Sequence, residues 1–373
     1  MTKQEVAEIK KLFKSKNCSI TRVAGCYVDG EKNIKSTFVQ PFLSLPEEEM
    51  FKYFEILKKS LSGTLEKNLH TMEFSLEAEQ DGGQQNSLLK LRDSKLKNPD
   101  MLQSYYQKII DSYAYVGNYL ILVFHDVYDV PGKSADGSTM EDASEEIYEY
   151  ILTCICPVEL AKPGLCFCAE DGQFHNLNRP WMLGLPDAAF LFPAFNDRSA
   201  DIHSVLCYEK KPEEKKDELM DAIIGKRMPL TAGEQKDTFT ALIEDTLGNN
   251  CDMSVVKSIH EKLTEKIEES KESPEPLMLG KNEIKSIFAD SGVSNERMNK
   301  YDTLYDNTVG KNVELAATNI VNAKALEVKT PDVIIKVNSD RTDLLDTAVV
   351  NGRKCLVIEM INNISVNGVQ VQD

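Results

Sequence analysis

A histidine and two aspartates follow the most apolar run of the chain and could support acid/base chemistry or bind a metal ion. The run Tyr119 to Phe124 is continuously hydrophobic, as in a strand covered on both faces, and it leads directly into His125, Asp126 and Asp129. Side chains held at the end of a rigid strand are well placed to form a site. His125 could act as a general base or a metal ligand with the aspartates beside it. The alternative is a solvated loop in which the aspartates only form turns.

A second polar cluster follows the apolar segment that ends at Phe192. It offers amide, carboxylate, guanidinium, hydroxyl and imidazole groups, which suffice for acid/base chemistry or for binding an anion. The residues are Asn196, Asp197, Arg198, Ser199, Asp201 and His203. The alternative is a loop of Asx turns with an internal Asp–Arg pair.

The two clusters would converge if their strands were neighbours in one sheet. They would then form a hydrolase-like site, in which a histidine is the base and Arg198 holds an anionic group of the substrate. The catalytic residues of this hypothesis are His125, Asp126, Asp197, Arg198, Asp201 and His203. The hypothesis requires the two loops to meet within hydrogen-bond reach.

Four cysteines form two Cys-x-Cys pairs, Cys154 with Cys156 and Cys166 with Cys168. Four thiolates could close a tetrahedral zinc site. Zinc knuckles, however, use Cys-x-x-Cys spacing, whereas Cys-x-Cys places both sulfurs on one face of an extended strand. We therefore expect buried thiols on paired strands, with a metal site as the alternative.

The sequence lacks the usual signatures of nucleotide-dependent and hydrolytic enzymes. It contains no Walker A sequence and no Gly-x-Gly-x-x-Gly after a strand. It also contains no Gly-x-Ser-x-Gly elbow and no His-Glu-x-x-His helix. We therefore expect no cofactor.

Basic side chains gather in only two places, so a nucleic-acid surface would have to be local. These places are Leu91–Lys97 and the group Lys210, Lys211, Lys215 and Lys216.

The predicted elements of residues 1–210 describe a mixed-sheet α+β domain. Thr2 is a plausible N-cap of a short amphipathic helix, and Asp29-Gly30 is a strong turn signal between two hairpin strands. The stretch from Asp126 to Thr139 is rich in Gly, Pro and Asp and is predicted to be a loop. Strands are predicted at Ile20–Val28, Ile34–Val39, Tyr119–Phe124, Ala188–Phe192 and Ile202–Tyr208.

The chain changes character at Glu209. Nearly every segment from there to about Gly310 has a helical pattern. Near the C-terminus two turn signals, Asn351-Gly352 and Asn367-Gly368, each predict an antiparallel hairpin. We expect an α+β domain at 1–210, a helical region at 211–310 and a small antiparallel β unit at 311–373, and the last two could form one domain.

The composition is typical of a globular protein, and we expect it in the cytoplasm. The chain carries 60 acidic and 43 basic side chains, a net charge of −17, which argues against a protein that coats nucleic acid through its overall charge. The longest apolar run is far shorter than the roughly 18 residues of a membrane span, so no membrane partner is expected. The first residues lack a secretory or transit signal. Nine scattered cysteines fit reduced thiols better than a disulfide framework.

Four segments resemble an uncharacterised bacterial family, a domain of unknown function that is common in anaerobic Gram-positive organisms. They are Asn17–Lys32, Leu88–Leu96, Phe190–His203 and Lys329–Asn338. The resemblance covers essentially the whole chain and implies no activity, cofactor or catalytic residue.

A looser similarity concerns the architecture. In the nucleoid-associated protein family, an α+β half ends in a strand with an Ala-Asp-Ile-like segment, and a helical middle and a small β unit follow. Here Ala200-Asp-Ile202, the helix after Lys211 and the terminal hairpins occur in that order. The similarity implies a cytoplasmic DNA-associated protein, whose basic residues would have to gather on one face.

Two hypotheses about function follow. The first is a non-enzymatic binding or scaffold protein, with nucleic acid or a nucleoprotein assembly as its partner. It rests on the missing catalytic signatures and on the architectural similarity. The second is a hydrolase-like enzyme that acts on an anionic substrate at the His/Asp/Arg site.

Overall fold

The computed structural model describes residues 1–133, 139–176, 178–248, 251–359, 364–366 and 368–371. The chain divides into two compact units, Met1–Thr231 and Ala232–Asp373. A large sheet with helices on both faces forms the first unit, and helices with small hairpins form the second. The predicted α+β class is confirmed. In the described part of the chain, no helix is both long enough and apolar enough to cross a membrane.

The first unit alternates strands and helices along its length. Its strands are β1 (Ile20–Val28), β2 (Ile34–Pro41), β3 (Leu69–Glu73), β4 (Asn118–Lys133), β5 (Thr139–Leu160), β6 (Leu165–Cys168), β7 (Gln173–Asn176), β8 (Trp181–Leu183), β9 (Ala188–Phe192), β10 (Ala194–Asn196), β11 (Ser199–Asp201) and β12 (Ser204–Glu209). Its helices are α1 (Lys3–Leu12), α2 (Glu47–Ser60), α3 (Gln84–Asp93), α4 (Pro99–Ser112) and α5 (Asp217–Ile224).

The large sheet has the strand order β2-β1-β4-β5-β9-β12-β3, and β8 pairs with β5. Every strand pair described in this sheet is antiparallel, so the mixed sheet expected from the sequence is not found. Short connections favour this arrangement, because a hairpin turn can join only antiparallel neighbours. The hairpin at Asp29 is confirmed, and its carboxylate accepts hydrogen bonds from the backbone N–H groups of Glu31 and Asn33.

The N-terminal helix is fixed by a capping box. The backbone N–H of Glu5 donates to Thr2 Oγ1, and the Glu5 carboxylate accepts from the backbone N–H of Thr2. Two donors that the first turn leaves without helical partners are thereby satisfied. The predicted N-cap is confirmed.

Alternate side chains of β4 enter two separate cores, one on each face of the sheet. Ile121 and Val123 pack with residues of α3, α4 and α5. Leu122 and Phe124 pack with residues of α1 and α2. Each such buried side chain contributes roughly 1.5–3 kcal/mol. The prediction that this apolar run is covered on both faces is confirmed.

The loop predicted from Asp126 to Thr139 is wrong in its described part. Strand β4 continues to Lys133 and pairs with β5, which begins at Thr139. Pro131 and Gly132 lie where the register of this pair shifts, and bulges accept such turn-forming residues. Residues 134–138 of the predicted loop lie outside the described residues.

Apolar side chains are exposed on the β6–β7 hairpin and on β8. Leu165 is 74% exposed, Phe174 65% and Trp181 55%. Trp181 is the only tryptophan of the sequence, and on β8 it pairs with Leu160 of β5.

The second unit contains helices followed by hairpins. Its helices are α6 (Ala232–Leu247), α7 (Met253–Glu269), α8 (Lys281–Asp290), α9 (Asn295–Thr308) and α10 (Ala317–Ile320). Its strands pair in sequence, β13 (Met278–Leu279) with β14 (Leu315–Ala316), β15 (Ala325–Lys329) with β16 (Ile334–Asn338), β17 (Leu345–Val350) with β18 (Arg353–Ile358), and β19 (Ile364–Val366) with β20 (Val369–Val371).

The two C-terminal hairpins predicted from Asn-Gly turns are present. Asn351 and Gly352 both have positive φ between β17 and β18, as a type I′ turn requires. Strands β19 and β20 pair on either side of the second turn, whose Asn367 lies outside the described residues.

Candidate functional site

Polar side chains gather at both ends of the large sheet. One end, which we call the Glu209 end, holds the last residue of β12, the start of β9 at Ala188 and the last part of β5 at Pro157. The opposite end, which we call the His125 end, holds His125 of β4, the end of β9 and the β10–β11 hairpin. The residues predicted to be catalytic all lie towards the His125 end.

A pocket of about 570 Å³ opens at the Glu209 end. This volume falls within the range of small-molecule sites, roughly 300–1,000 Å³. Charged groups of both signs and one tyrosine ring line it. They include Tyr115, Asp187, Lys210, Lys211, Lys215 and Lys216.

The inner part of the pocket is a buried polar network around Asp187. The hydroxyl of Tyr113 donates to Asp187 Oδ2 at 2.7 Å, and Lys216 Nζ lies 3.4 Å from the same oxygen. The side chains of Lys216 and Asp187 are only 12% and 14% exposed. Burial, together with the neighbouring Asp187 carboxylate, raises the pKa of Tyr113 far above its usual range. Tyr113 therefore stays protonated and holds Asp187 as a hydrogen-bond donor.

Glu209 is a buried carboxyl group close to Lys216. Glu209 is only 1% exposed. Burial raises the pKa of its carboxyl group to about 7, although the charges of Lys216 and His70 act to lower it. Glu209 Oε1 is buried without a hydrogen-bond partner. The buried Lys216 Nζ and His70 Nδ1 have no hydrogen bond either, but they lie 3.4 Å from Asp187 Oδ2 and 3.5 Å from Glu66 Oε2. Buried polar atoms are nearly always paired, so the unpaired oxygen of Glu209 suggests a position for water or a ligand.

An aromatic pair and further lysines form the outer wall of the pocket. The ring of Tyr115 is stacked on that of Tyr113, with centroids 5.6 Å apart and planes 9° from parallel. Lys211 Nζ donates to Glu214 at 2.7 Å. No side-chain partner of Lys210 is found among the described residues. The pocket thus offers a stacking surface beside lysine ammonium groups.

At the other end of the sheet, His125 is completely buried and hydrogen-bonded through both ring nitrogens. Its Nδ1 lies 2.6 Å from Thr21 Oγ1, and its Nε2 lies 2.8 Å from Glu149 Oε1. Burial lowers the pKa of His125, although Glu149 and Asp126 oppose that shift. The ring is therefore neutral at pH 7.

Asp126 points to the opposite face of β4 from His125, because successive residues of a strand alternate between faces. It is 1% exposed, and its carboxylate accepts hydrogen bonds from Tyr150 Oη at 2.6 Å and from the backbone N–H of Val127 at 2.8 Å. Burial raises its pKa, whereas these hydrogen bonds oppose the shift. Asp126 and His125 therefore do not act on a common substrate.

Asp197 and Arg198 form the turn of the β10–β11 hairpin. Their φ angles are +52° and +58°, as in a two-residue type I′ turn. The guanidinium of Arg198 donates to both carboxylate oxygens of Glu8, at 3.1 and 3.3 Å, and to the carbonyl oxygen of Pro131 at 2.8 Å. These contacts tie the hairpin to α1 and β4, so Arg198 is engaged in holding the fold.

Asp201 and His203 are engaged in separate local contacts. Burial alone would raise the pKa of Asp201, but hydrogen bonds from Ser204, Asn196 and the backbone of His203 outweigh it and lower that pKa. The imidazole of His203 is 64% exposed and lies 2.9 Å from Glu79, whose carboxylate raises its pKa.

The six residues of the hydrolase-like hypothesis therefore do not form one site. His125 pairs with Ile151 of β5, which pairs with Phe192 of β9, and β12 is the next strand. His203 directly precedes β12, so about three strand spacings, or ~14 Å, separate the two histidines. Local sequence placed both clusters near strand ends, but it could not show that two strands lie between them.

The four cysteines do not meet either. Cys154 and Cys156 are buried in the core shared with α1 and α2, whereas Cys166 is exposed on β6. Burial raises the pKa of Cys154 to about 12, so its thiol is protonated. Among the described residues, no three His, Cys, Asp or Glu side chains are grouped to hold a metal ion. The expectation of buried thiols holds for the first pair only.

Sequence reasoning missed most of the residues that the structure brings together. The sequence shows the lysines between Lys210 and Lys216 as a basic group, but nothing local connects them to Asp187 or to Tyr113 and Tyr115. Thr21 and Glu149 likewise reach His125 only because β1 and β5 flank β4. The only sequence feature that pointed to this contact was the hydroxyl residue Thr21 in the predicted strand Ile20–Val28.

Comparisons with known proteins identify the family alone. A family model described as "Domain of unknown function (DUF4317)" matches residues 1–369. The chain belongs to this family. No curated protein and no solved structure matched the chain.

Proposed function

We propose that this protein is a binding protein whose first unit takes a nucleotide-like ligand, an anionic group joined to a planar ring, in the pocket at the Glu209 end. The observation that supports this most is a ligand-sized pocket beside a buried polar network in which Glu209 Oε1 has no hydrogen-bond partner. Lys216 lines the pocket, and the buried Glu209 carboxyl group lies close to Lys216.

The chemistry of the wall suggests the ligand class. A flat ring can stack on the exposed side of Tyr115, a contact worth roughly 1–3 kcal/mol per base. Lys210 and Lys215 line the same pocket and can approach phosphate oxygens, because lysine binds phosphate as a mobile point charge. Asp187 can accept hydrogen bonds from ring amino or sugar hydroxyl groups. The carboxylates of Glu159, Asp217 and Glu218 limit how many phosphates the pocket tolerates.

A nucleotide can be free or part of a single strand, and this decides between a metabolite-binding protein and a nucleic-acid-associated one. The net charge of −17 disfavours broad contact with a polyanion. A single strand could still present one nucleotide to the pocket. Both sources exist in the cytoplasm, where we place the protein.

The test is isothermal titration of the full chain at low salt with adenosine and uridine monophosphates and with short single-stranded RNA and DNA. We expect at least one of these ligands to bind. Lys216→Met and Tyr115→Ala should each weaken that binding by roughly 5- to 100-fold. The control Lys52→Met changes a lysine that is 75% exposed on α2, and it should leave affinity unchanged.

Tighter binding of oligonucleotides than of mononucleotides would identify nucleic acid as the source, and the reverse would identify a free nucleotide. The proposal fails if none of these ligands binds at low salt, or if binding is equally strong in the Lys216 and Tyr115 variants.

A further inference from the structure

Three side chains on three neighbouring strands form a continuous hydrogen-bonded chain at the His125 end. Thr21 Oγ1 lies 2.6 Å from His125 Nδ1, and His125 Nε2 lies 2.8 Å from Glu149 Oε1. They belong to β1, β4 and β5. The order hydroxyl, imidazole, carboxylate is that of a nucleophile, its base and the group that orients the base.

A local irregularity of β1 aims Thr21 at the imidazole. Ile20 pairs with Asp126 and Arg22 pairs with His125, so Thr21 is an extra residue in the register. Such a bulge turns a side chain out of the regular alternation. Thr21 is consequently exposed, whereas the imidazole that it contacts is fully buried.

The position of the proton follows from the partners of the ring. The Glu149 carboxylate can only accept a hydrogen bond, so the neutral ring carries its proton on Nε2 and donates it to Glu149. Nδ1 then has a free electron pair, and it accepts the hydroxyl proton of Thr21. The hydroxyl also lies 3.2 Å from the carbonyl oxygen of His125, but its single proton cannot serve both acceptors. Nδ1 is the nearer of the two.

We propose that Thr21 is a nucleophile for acyl transfer, with His125 as its general base and Glu149 as the positioning residue of the base. The substrate class is an ester or thioester of a carboxylic acid. Thr21 Oγ1 attacks the carbonyl carbon while its proton passes to His125 Nδ1. The C–O or C–S bond to the leaving group then breaks, and the leaving group takes that proton. Water, activated by the same nitrogen, hydrolyses the acyl-threonine and restores the hydroxyl.

The surroundings of His125 suit this role. The charged groups that act on it are Glu149 and Asp126, which raise its pKa, and Lys95, which lowers it. Burial outweighs the carboxylates, so the imidazole stays neutral and able to accept a proton at pH 7. In most triads the nucleophile contacts Nε2 and the acid Nδ1; here the two nitrogens exchange these roles.

The experiment treats the full chain with 4-nitrophenyl acetate and follows both nitrophenolate release and acetylation by peptide mass spectrometry. We expect an acetyl group on Thr21. Thr21→Val should abolish that adduct and slow release by roughly 100-fold, the lower range of general-base catalysis. Thr37 is a matched control, because it is also an exposed threonine in a strand of the same sheet. Thr37→Val should change neither signal.

A second variant separates catalysis from a structural role. Glu149→Gln removes a charge that raises the pKa of His125, so the midpoint of the acylation rate against pH should move to lower pH. Circular dichroism establishes that each variant is folded. The proposal is overturned if the folded wild type carries no adduct on Thr21, if Thr37 is acetylated equally, or if Glu149→Gln leaves the pH profile unchanged.

Discussion

The two ends of the large sheet treat buried polar groups in opposite ways. At the His125 end, His125 and Asp126 are buried, and each has strong partners in neighbouring strands. At the Glu209 end, Glu209 is buried with an oxygen that lacks a hydrogen-bond partner, and the nearby Lys216 has only a longer ion-pair contact of 3.4 Å with Asp187. A satisfied group stabilises one arrangement of the chain, whereas an unsatisfied one costs stability unless something binds to it. The contrast indicates a prearranged relay at one end and a site for a ligand at the other.

The largest expected effect is at Glu209, and it tests whether the Glu209 end holds a buried group without a hydrogen-bond partner. The pKa of Glu209 is raised from 4.5 to about 7 in the folded protein, so folding favours its protonated form. That contribution is fully present below pH 4.5 and is lost as the pH rises through about 7. Glu209→Gln should remove this dependence and be more stable than the wild type at pH 8 by ~3 kcal/mol, relative to their difference at pH 4.

Urea unfolding followed by circular dichroism at several pH values measures this difference. Glu77→Gln, an exposed glutamate in the same unit, should track the wild type at every pH. Parallel curves for wild type and Glu209→Gln would show that Glu209 is paired in solution, and the contrast between the two ends would disappear.

A smaller effect is expected at Arg198, which lies at the His125 end. Arg198→Met removes its hydrogen bonds to Glu8 and to the Pro131 carbonyl, and it should lower the free energy of unfolding by about 1–2 kcal/mol. The exposed Arg353 is the control, and Arg353→Met should stay within about 0.5 kcal/mol of the wild type. An unchanged free energy of unfolding for Arg198→Met in the same assay would mean that these contacts do not stabilise the fold.

The smallest effect is expected at His203. Its ion pair with Glu79 is exposed, so His203→Gln should cost less than about 0.5 kcal/mol. Because Glu79 raises the pKa of His203, this small contribution is present below pH 6.5 and is lost at higher pH. The same substitution at the buried His125 should cost ~2 kcal/mol. Equal losses in parallel unfolding curves would contradict the different burial of the two histidines.

Local elements were predictable where the decisive physics is local. The Thr2 cap, the turn at Asp29 and the hairpin at Asn351 each depend on a few adjacent residues. The loop predicted after Asp126 is wrong because Pro131 and Gly132 favour a turn locally, whereas pairing with β5 overrides that preference. Pairing between strands that are distant in the chain is therefore not predictable from local sequence.

The candidate sites could not be predicted either, because they also depend on contacts between distant parts of the chain. The polar residues around Asp197 and Arg198 suggest a catalytic site in the sequence, but in the structure these two residues form a tight turn. Glu209 looks like any surface glutamate, and only the packing of β12 against β3 and Lys216 makes its pKa unusual. The identity of a single glutamate therefore does not show whether it is one of the rare buried ones.

The exposure of Trp181 determines what tryptophan fluorescence can report on this protein. It is the only tryptophan of the sequence and is 55% exposed on β8, so its fluorescence already comes from a solvent-exposed ring in the folded state. Its emission should change little when the cores unfold. A blue shift after addition of another molecule would instead signal that something has covered the margin of the sheet at β8, which makes this residue a built-in optical probe of that surface.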